Sequence, residues 1–239
     1  MKFLDLTLQT AQENLAVDEA LLENADAGNI PNNILRIWEP SRPVVVIGRS
    51  SRVAEEVNID FCREREIPIL RRCSGGAAVV TGVGCLMYAV VLDYQSHPQL
   101  RALDVAHHFV MQTNQTAIRA LGIDVQCDGT CDLTLNNRKC SGNSLRCKRD
   151  HLLYHGTMLY RFDLDLITHC LRWPPRQPDY RQGRNHCDFV TNLPTTSQHL
   201  RTTLRNTWQA NELYDGCLPA QTKQLVQERY SQRAWNERF

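Results

Sequence analysis

Three short stretches of the sequence combine residue types that could do chemistry. The first is R-R-C-S-G-G-A-A-V, from Arg71 to Val79. Tandem glycines let a backbone pass within touching distance of a ligand and leave N–H groups open to a polar or anionic group. The spacing is neither G-x-G-x-x-G nor G-x-x-x-x-G-K-[ST], so neither common nucleotide loop is matched. A tight hairpin needing one glycine at positive φ accounts for an isolated Gly-Gly at least as well. The second stretch is N-N-R-K-C-S-G-N, from Asn136 to Asn143, and holds Lys139, one of only four lysines. Its ammonium could face an acyl carbonyl or a phosphate and offset developing negative charge; a solvated turn lysine is the competing account. The third is His155-Gly156-Thr157, inside an apolar run. No Ser or Cys at a triad spacing accompanies this histidine, so a structural or supporting role is expected first.

These stretches need elements to hold them. Leu15 to Ala25 clusters strong helix formers, and Gly28, Pro31 and Asn32-Asn33 break the segment, which predicts a helix and then a turn. Ile34 to Trp38 and Val44 to Ile47 read as two strands separated by Pro40 and Pro43. Ile67 to Leu70, the glycine stretch, and Leu86 to Leu92 read as strand, glycine turn, strand, turn and strand. Between Asp104 and Leu121 the apolar positions Ala106, Phe109, Val110, Ala117 and Leu121 keep helical spacing, with Gly122 set to end the helix. Cys131 to Asn136 alternates like a strand, Arg138 to Asn143 reads as a small-residue turn, and Leu152 to Tyr160 as a further strand. Trp173 to Arg184 reads as a Pro- and Arg-rich loop, and Pro219 onward as a terminal helix with Leu225, Val226 and Tyr230 on one side. The sum is α/β (α+β), too rich in hairpins for a doubly wound parallel sheet.

Composition narrows the classes. Lys+Arg 27 against Asp+Glu 26 gives a net charge of +1, so no global field favours nucleic acid or an anionic membrane. No stretch approaches the roughly 20 apolar residues of a membrane span, and the first residues lack a signal-like apolar run. A cytoplasmic protein is expected, in which the ten cysteines are thiols rather than a disulfide framework.

Taken in order, R-R-C-S-G-G-A-A-V-V, Cys131-Asp132-Leu133, R-K-C-S-G-N and His155-Gly156-Thr157-Met158-Leu159 resemble the lipoate-protein ligase A family of the biotin/lipoyl ligase superfamily. That family's pattern runs R-R-x-S-G-G-G-A-V, N-D, R-K-x-S-G-x-A/S and H-G-T-L-L. Val17 to Leu22 and Val45 to Arg49 are similar to its entry helix and second strand, so the likeness covers about Asn14 to Phe162. The resemblance implies a mixed, largely antiparallel sheet flanked by helices, in the manner of class II synthetases. Residues 1–239 would form one catalytic domain, with a core at about 14–195 and a C-terminal helical extension at about 196–239. It implies activation of lipoate or octanoate with ATP and magnesium to an acyl-AMP, then transfer to a lysine of a lipoyl-domain or H-protein-like acceptor. Arg72, Ser74, Gly75, Gly76, Ala77, Ser141, Gly142 and His155 would line the lipoyl and adenylate pocket. Lys139 would contact the acyl carbonyl and the phosphate, with Asp132 near a magnesium-bound phosphate. The accessory C-terminal domain of the best-known ligases has no counterpart here, so a separate accessory protein could be required. Neither nucleic acid nor membrane is expected as a partner.

Three positions depart from the pattern: Ala77 replaces its third glycine, and Cys131 and Cys85 stand where asparagines are usual. The two cysteines lack an amide's donors and acceptors, which bears on nucleotide and metal binding. Relatives that transfer octanoyl groups without ATP use a cysteine thioester, and Cys127-Asp128-Gly129-Thr130-Cys131-Asp132-Leu133 resembles their C-x-G-x-x-D-L pattern. Cys127 is therefore the candidate nucleophile of an alternative transferase, expected to have a lowered pKa near Lys139. A zinc site of Cys127, Cys131, Cys140 and Cys147 fits no standard spacing. A non-catalytic homologue that binds acyl-carrier domains is the third alternative. Two basic stretches, Arg138 to Arg149 and Arg172 to Arg184, could meet an acidic acceptor.

Overall fold

The computed structural model describes residues 1–216 and 220–239. In chain order its elements are β1 (Lys2–Asp5), α1 (Ala11–Asp26), β2 (Ile34–Trp38), β3 (Val44–Ile47), α2 (Val53–Glu56), α3 (Ile59–Glu64), β4 (Ile69–Arg71), β5 (Val79–Thr81), β6 (Cys85–Asp93), α4 (Leu103–Arg119), β7 (Gln126–Asp128), β8 (Asp132–Leu135), β9 (Arg138–Cys147), β10 (His151–Leu159), α5 (Asp165–Cys170), α6 (His186–Phe189), α7 (Ser197–Thr207), β11 (Glu212–Leu213), α8 (Ala220–Leu225) and α9 (Arg233–Asn236).

The long apolar strands β6 and β10 are buried at every position and pair antiparallel along their whole length. Strands buried on both faces read as continuous apolar runs rather than alternating ones, which is how both appear in the sequence. They form the centre of a sheet ordered β11-β1-β2-β6-β10-β9-β8-β7, in which β1 runs parallel to β2 and β11 and the other pairs are antiparallel. A smaller sheet, β4-β3-β5, carries the glycine loop between β4 and β5. Helices α4 and α7 pack on one apolar layer with Val110, Ile118, Leu200 and Leu204, and α1 with the small sheet closes another around Trp38, Val45 and Val46. Mixed α/β architecture and the mostly antiparallel main sheet match the expectation.

Several boundaries differ from it. Helix α1 begins at Ala11 because Thr10 and Glu13 form a reciprocal capping box, which adds a turn ahead of Leu15. Gly122 ends α4 at φ +78, as expected. Arg138 to Asn143 is not a turn: it opens the ten-residue strand β9, and the reversal falls at Asn136 and Asn137, whose φ values are 51° and 60°. Asparagine tolerates the left-handed region, so the pair suffices as a hairpin turn and releases Gly142 for the strand. The segment after residue 196 is not solely helical, since β11 adds a parallel edge to β1. The terminal helix is described from Ala220, with Leu225 and Tyr230 buried and Val226 partly so; Pro219 lies outside the described residues. Among the described residues no helix is long and apolar enough to cross a membrane.

Candidate functional site

Register brings the sequence candidates together. β8 pairs with β9, so Asp132 stands opposite Gly142, and Lys139 reaches back across that glycine to place its Nζ 2.8 Å from Asp132 Oδ1. A Cβ on Gly142 would meet Lys139 Cε at 2.7 Å and Nζ at 2.8 Å, so the glycine is what admits the ammonium here. The other Asp132 oxygen accepts from Tyr180 OH at 2.7 Å, and burial beside this carboxylate drives the Tyr180 hydroxyl well above its ordinary pKa. Thr191 N donates to Lys139 O at 2.9 Å, stitching the end of the 173–190 loop to the lysine's strand.

A second cluster lies behind the glycine loop. His155 Nε2 is 2.5 Å from Ser74 Oγ, and its Nδ1 is 3.4 Å from Asp18 Oδ2. Asp18 is also paired with the fully buried Arg36. Burial alone would raise the Asp18 pKa, but Arg36 and His155 outweigh it and hold the carboxyl below its ordinary value. The imidazole is held between the Asp18 carboxylate at Nδ1 and the Ser74 hydroxyl at Nε2. Ser74 Oγ then accepts from Arg72 Nε at 3.1 Å. The other Arg72 donors go to the carbonyls of Val46, Gly75 and Ala77, and burial brings its pKa down to about 10. Arg72 is thus a brace spanning the glycine loop rather than a free anion binder. Within the loop Gly76 takes φ +87, whereas Ala77 is absent from the left-handed region, so alanine is tolerated at the third position. No spacing along the chain pairs Ser74 with His155, because the two are 81 residues apart and only the fold joins them.

Two cavities meet at Lys139. One, of about 180 Å³, is lined by Leu15, Val46, Val79, Met87, Arg72 and His155. The other, of about 140 Å³, is lined by Ser141, Leu159, Arg172, Arg176, Arg181 and His186. Lys139, Gly142, Ala77 and Thr157 belong to both walls, while Asp132 and Gly76 face the first. Arg181 is buried with its guanidinium carbon 5.0 Å from the Trp173 ring centre and 4.8 Å from that of Phe189, and its Nη2 has no hydrogen-bond partner among the described residues. Of the basic residues expected to meet a partner, Arg181 therefore points inward, and Arg146 and Lys148 are engaged by Glu19 and Glu23. Arg149, Arg172 and Arg176 stay exposed.

Cys127 lies elsewhere. It sits on edge strand β7 and lines a groove of about 400 Å³ with His107, His108 and Met111, whose wall shares Cys131 and Asp132 with the first cavity. The expected depression of its pKa is overturned: partial burial pushes the thiol up, Asp128 adds to this, and Arg119 rather than Lys139 is the opposing cation. The zinc reading also fails, since among the described residues no three His, Cys, Asp or Glu side chains form a metal-holding group. Cys131 and Cys140 instead donate to the carbonyls of Asn143 and Leu133. Magnesium at Asp132 fits poorly as well, because one oxygen holds Lys139 and the other Tyr180.

Along the chain Asp18, Arg36 and Tyr180 are not marked as site residues, and Arg181 reads there as an arginine that meets a partner. One signal was available: a lone arginine in the apolar run I-L-R-I-W demands a buried partner, and Asp18 in an apolar helix is the matching anomaly.

This two-sheet fold, with its glycine loop and strand lysine around a divided cavity, is that of a lipoyl ligase catalytic domain. The chain belongs to the lipoyl protein ligase A/B catalytic domain family, whose model matches residues 10–210. It is 24% identical to lipoate-protein ligase LplJ of Bacillus subtilis over 99% of this chain and 73% of that one. It is also 23% identical to octanoyltransferase LipM of Halalkalibacterium halodurans, over 99% of this chain and 98% of that one. Among solved structures it is similar to the bi-partite lipoate protein ligase of Thermoplasma acidophilum, described with its E2 lipoyl domain. The TM-score there is 0.81 at 21% identity, covering 99% and 96% of the two chains. A lipoate-protein ligase A bound with ATP gives a TM-score of 0.77 at 23% identity over 99% of each chain. These structural likenesses establish the fold.

Proposed function

We propose that the chain activates lipoate or octanoate with ATP and passes the acyl group to a lysine of a lipoyl-type acceptor domain. The observation that carries this is Lys139, whose side chain lines both cavities at once. In the first step an oxygen of the acid attacks the α-phosphorus of ATP, and the bond to pyrophosphate breaks. In the second the acceptor amine attacks the acyl carbon, AMP leaves with the electron pair of the C–O bond, and the amine gives up a proton. Negative charge builds on the phosphate in one step and on the carbonyl oxygen in the other, and one ammonium at the junction would offset both. The first cavity, with Leu15, Val46 and Met87 in its wall, suits an apolar acyl chain, and the second, where Arg172, Arg176 and Arg181 join apolar walls from Leu159 and Phe189, suits the phosphate-bearing half. What chemistry magnesium contributes would come with the ATP, since both oxygens of Asp132 are taken by Lys139 and Tyr180. The LplJ likeness supports the ligase activity, and the E2 lipoyl domain described with the Thermoplasma ligase supports the acceptor class.

A cysteine-dependent transferase is the second reading, favoured by the full-length likeness to LipM. The position and raised pKa of Cys127 weigh against it. Incubating the protein with lipoate, MgATP and a lipoyl domain should release pyrophosphate and lipoylate the domain, and Cys127→Ser should do the same. A hydroxylamine-labile acyl adduct on Cys127 formed from an acyl donor without ATP would overturn the ligase reading. Binding of the lipoyl domain with no turnover from any donor would mark a non-catalytic homologue.

A further inference from the structure

The glycine stretch opens with two arginines, and only the second has been accounted for. Neighbours on a strand point to opposite sides, so Arg71 faces away from the cavity. It is fully buried, and the acceptors around its guanidinium are backbone carbonyls from two segments. Its Nη1 donates to Gly48 O at 2.7 Å, Arg49 O at 3.2 Å and Ser51 O at 2.8 Å. Its Nε donates to Trp235 O at 3.0 Å, and its Nη2 to Asn236 O at 3.2 Å and Arg238 O at 2.6 Å. The backbone of Arg71 is engaged too: its N–H donates to Asn236 Oδ1 at 2.9 Å, and its carbonyl accepts from Trp235 Nε1 at 2.9 Å. β4 is an edge strand, so the C-terminal segment takes the place of a neighbouring strand there.

The other segment leads back to the site. Arg49 N donates to Ser74 O at 2.8 Å, and Ser51 Oγ donates to Gly76 O at 3.1 Å. Gly48 packs so closely on the Gly76 carbonyl that any Cβ would collide with it. Residues 48–51 therefore form the outer support of the glycine loop, and Arg71 ties that support to the C-terminus. A buried guanidinium is stable only while its donors are met, so losing the C-terminal acceptors obliges Arg71 to move or admit water. Movement of Arg71 would release the carbonyls of 48–51 that its Nη1 holds.

We propose that Trp235–Arg238, acting through the positioning residue Arg71, sets the glycine loop and with it the affinity of the acyl cavity. The affinity half of this inference rests on the reading of that cavity as the acyl-binding one; the loop half does not. The test uses the full chain with Asn236→Ala and Trp235→Phe, a version ending at Gln232, and Glu237→Ala as a control in the exposed Arg233–Glu237 pair. Hydrogen exchange is followed amide by amide, and octanoate and lipoate binding are measured by calorimetry. In the first three proteins, amides of 48–51 and 74–77 should exchange together at least about ten-fold faster, and acyl-acid Kd should rise by a similar factor. Glu237→Ala should change neither. Unchanged exchange at 74–77 in the two point variants would overturn the proposal, as would a loss of protection spread evenly over β6 and β10. If the wild-type protein binds neither acid, the acyl reading fails, while the exchange data still decide whether the C-terminal segment governs the loop.

Discussion

Lys139 Nζ stands 2.8 Å from Asp132 Oδ1, with the ammonium about one quarter exposed (27%) and the carboxylate nearly covered (10%). The pair fixes a cation at the boundary of two cavities, with its remaining N–H bonds available to a ligand. Removing the cation should cost what removing one preorganised donor for a developing oxyanion costs, about 100-fold or more in acyl transfer. Lys139→Ala checked by single-turnover transfer should show this with acid binding largely kept. Asp132→Asn keeps the shape but not the charge, and should lower the rate by about 10- to 100-fold through a less well placed ammonium. Wild-type rates in Lys139→Ala would remove the proposed chemistry altogether.

Gly142 makes that pair possible. A methyl group there would fall within 2.7 Å of Lys139 Cε, and the lysine must give way because it is the flexible partner. Gly142→Ala is therefore expected to retain its thermal midpoint to within a few degrees while losing about 100-fold in acyl transfer, as a displaced catalytic group does. Circular dichroism melts and the same transfer assay separate the two effects. A rate close to that of the wild type would mean that the ammonium works equally well elsewhere in the cavity.

Much of this arrangement was readable before the structure. The apolar runs of β6 and β10 show in the sequence because both faces are covered, and α4 because its apolar positions keep helical spacing. Lys139, Gly142 and Asp132 lie in motifs whose order is readable along the chain, and the fold brings the three together. What stayed hidden depends on long-range register. Asn136 and Asn137 carry the turn that the small residues of Arg138 to Asn143 suggest, so the first half of a ten-residue strand reads as a turn. Ser74, His155 and Asp18 belong to three elements, and no spacing along the chain reveals that they touch. Cys127 is the converse case: its local pattern is readable along the chain, but its place on β7, in a groove beyond Cys131 and Asp132, is not.

The Asp18 carboxyl gives a pH test. Its folded pKa is held below the ordinary 3.8, so the unfolded chain binds the proton more tightly. The stabilisation from this group is complete above about 3.8 and is lost as pH falls further towards the folded pKa. Urea unfolding followed from pH 6 downward should show wild-type stability falling more steeply in the acid range than that of Asp18→Asn. At neutral pH the variant should be less stable by about 3–5 kcal/mol, because Arg36 is left as a buried cation without its anion. Parallel acid limbs for the two proteins would show that Asp18 is not ionised in the fold.

Arg181 divides the two cavities functionally. It is buried against Trp173 and Phe189 in the wall of the second cavity, its Nε is spent on Arg184 O at 2.9 Å, and its Nη2 is covered and has no hydrogen-bond partner among the described residues. A guanidinium held by rings on both sides keeps its direction, and one donor in excess suits a phosphate oxygen. Arg181→Lys retains charge but not the stacked plane, and should raise the KM for ATP by about ten-fold while leaving octanoate and lipoate Kd near the wild-type values. Arg181→Leu should do the same more strongly. A matching rise in acyl-acid Kd would place the acid in this cavity instead, reversing the assignment of the two halves.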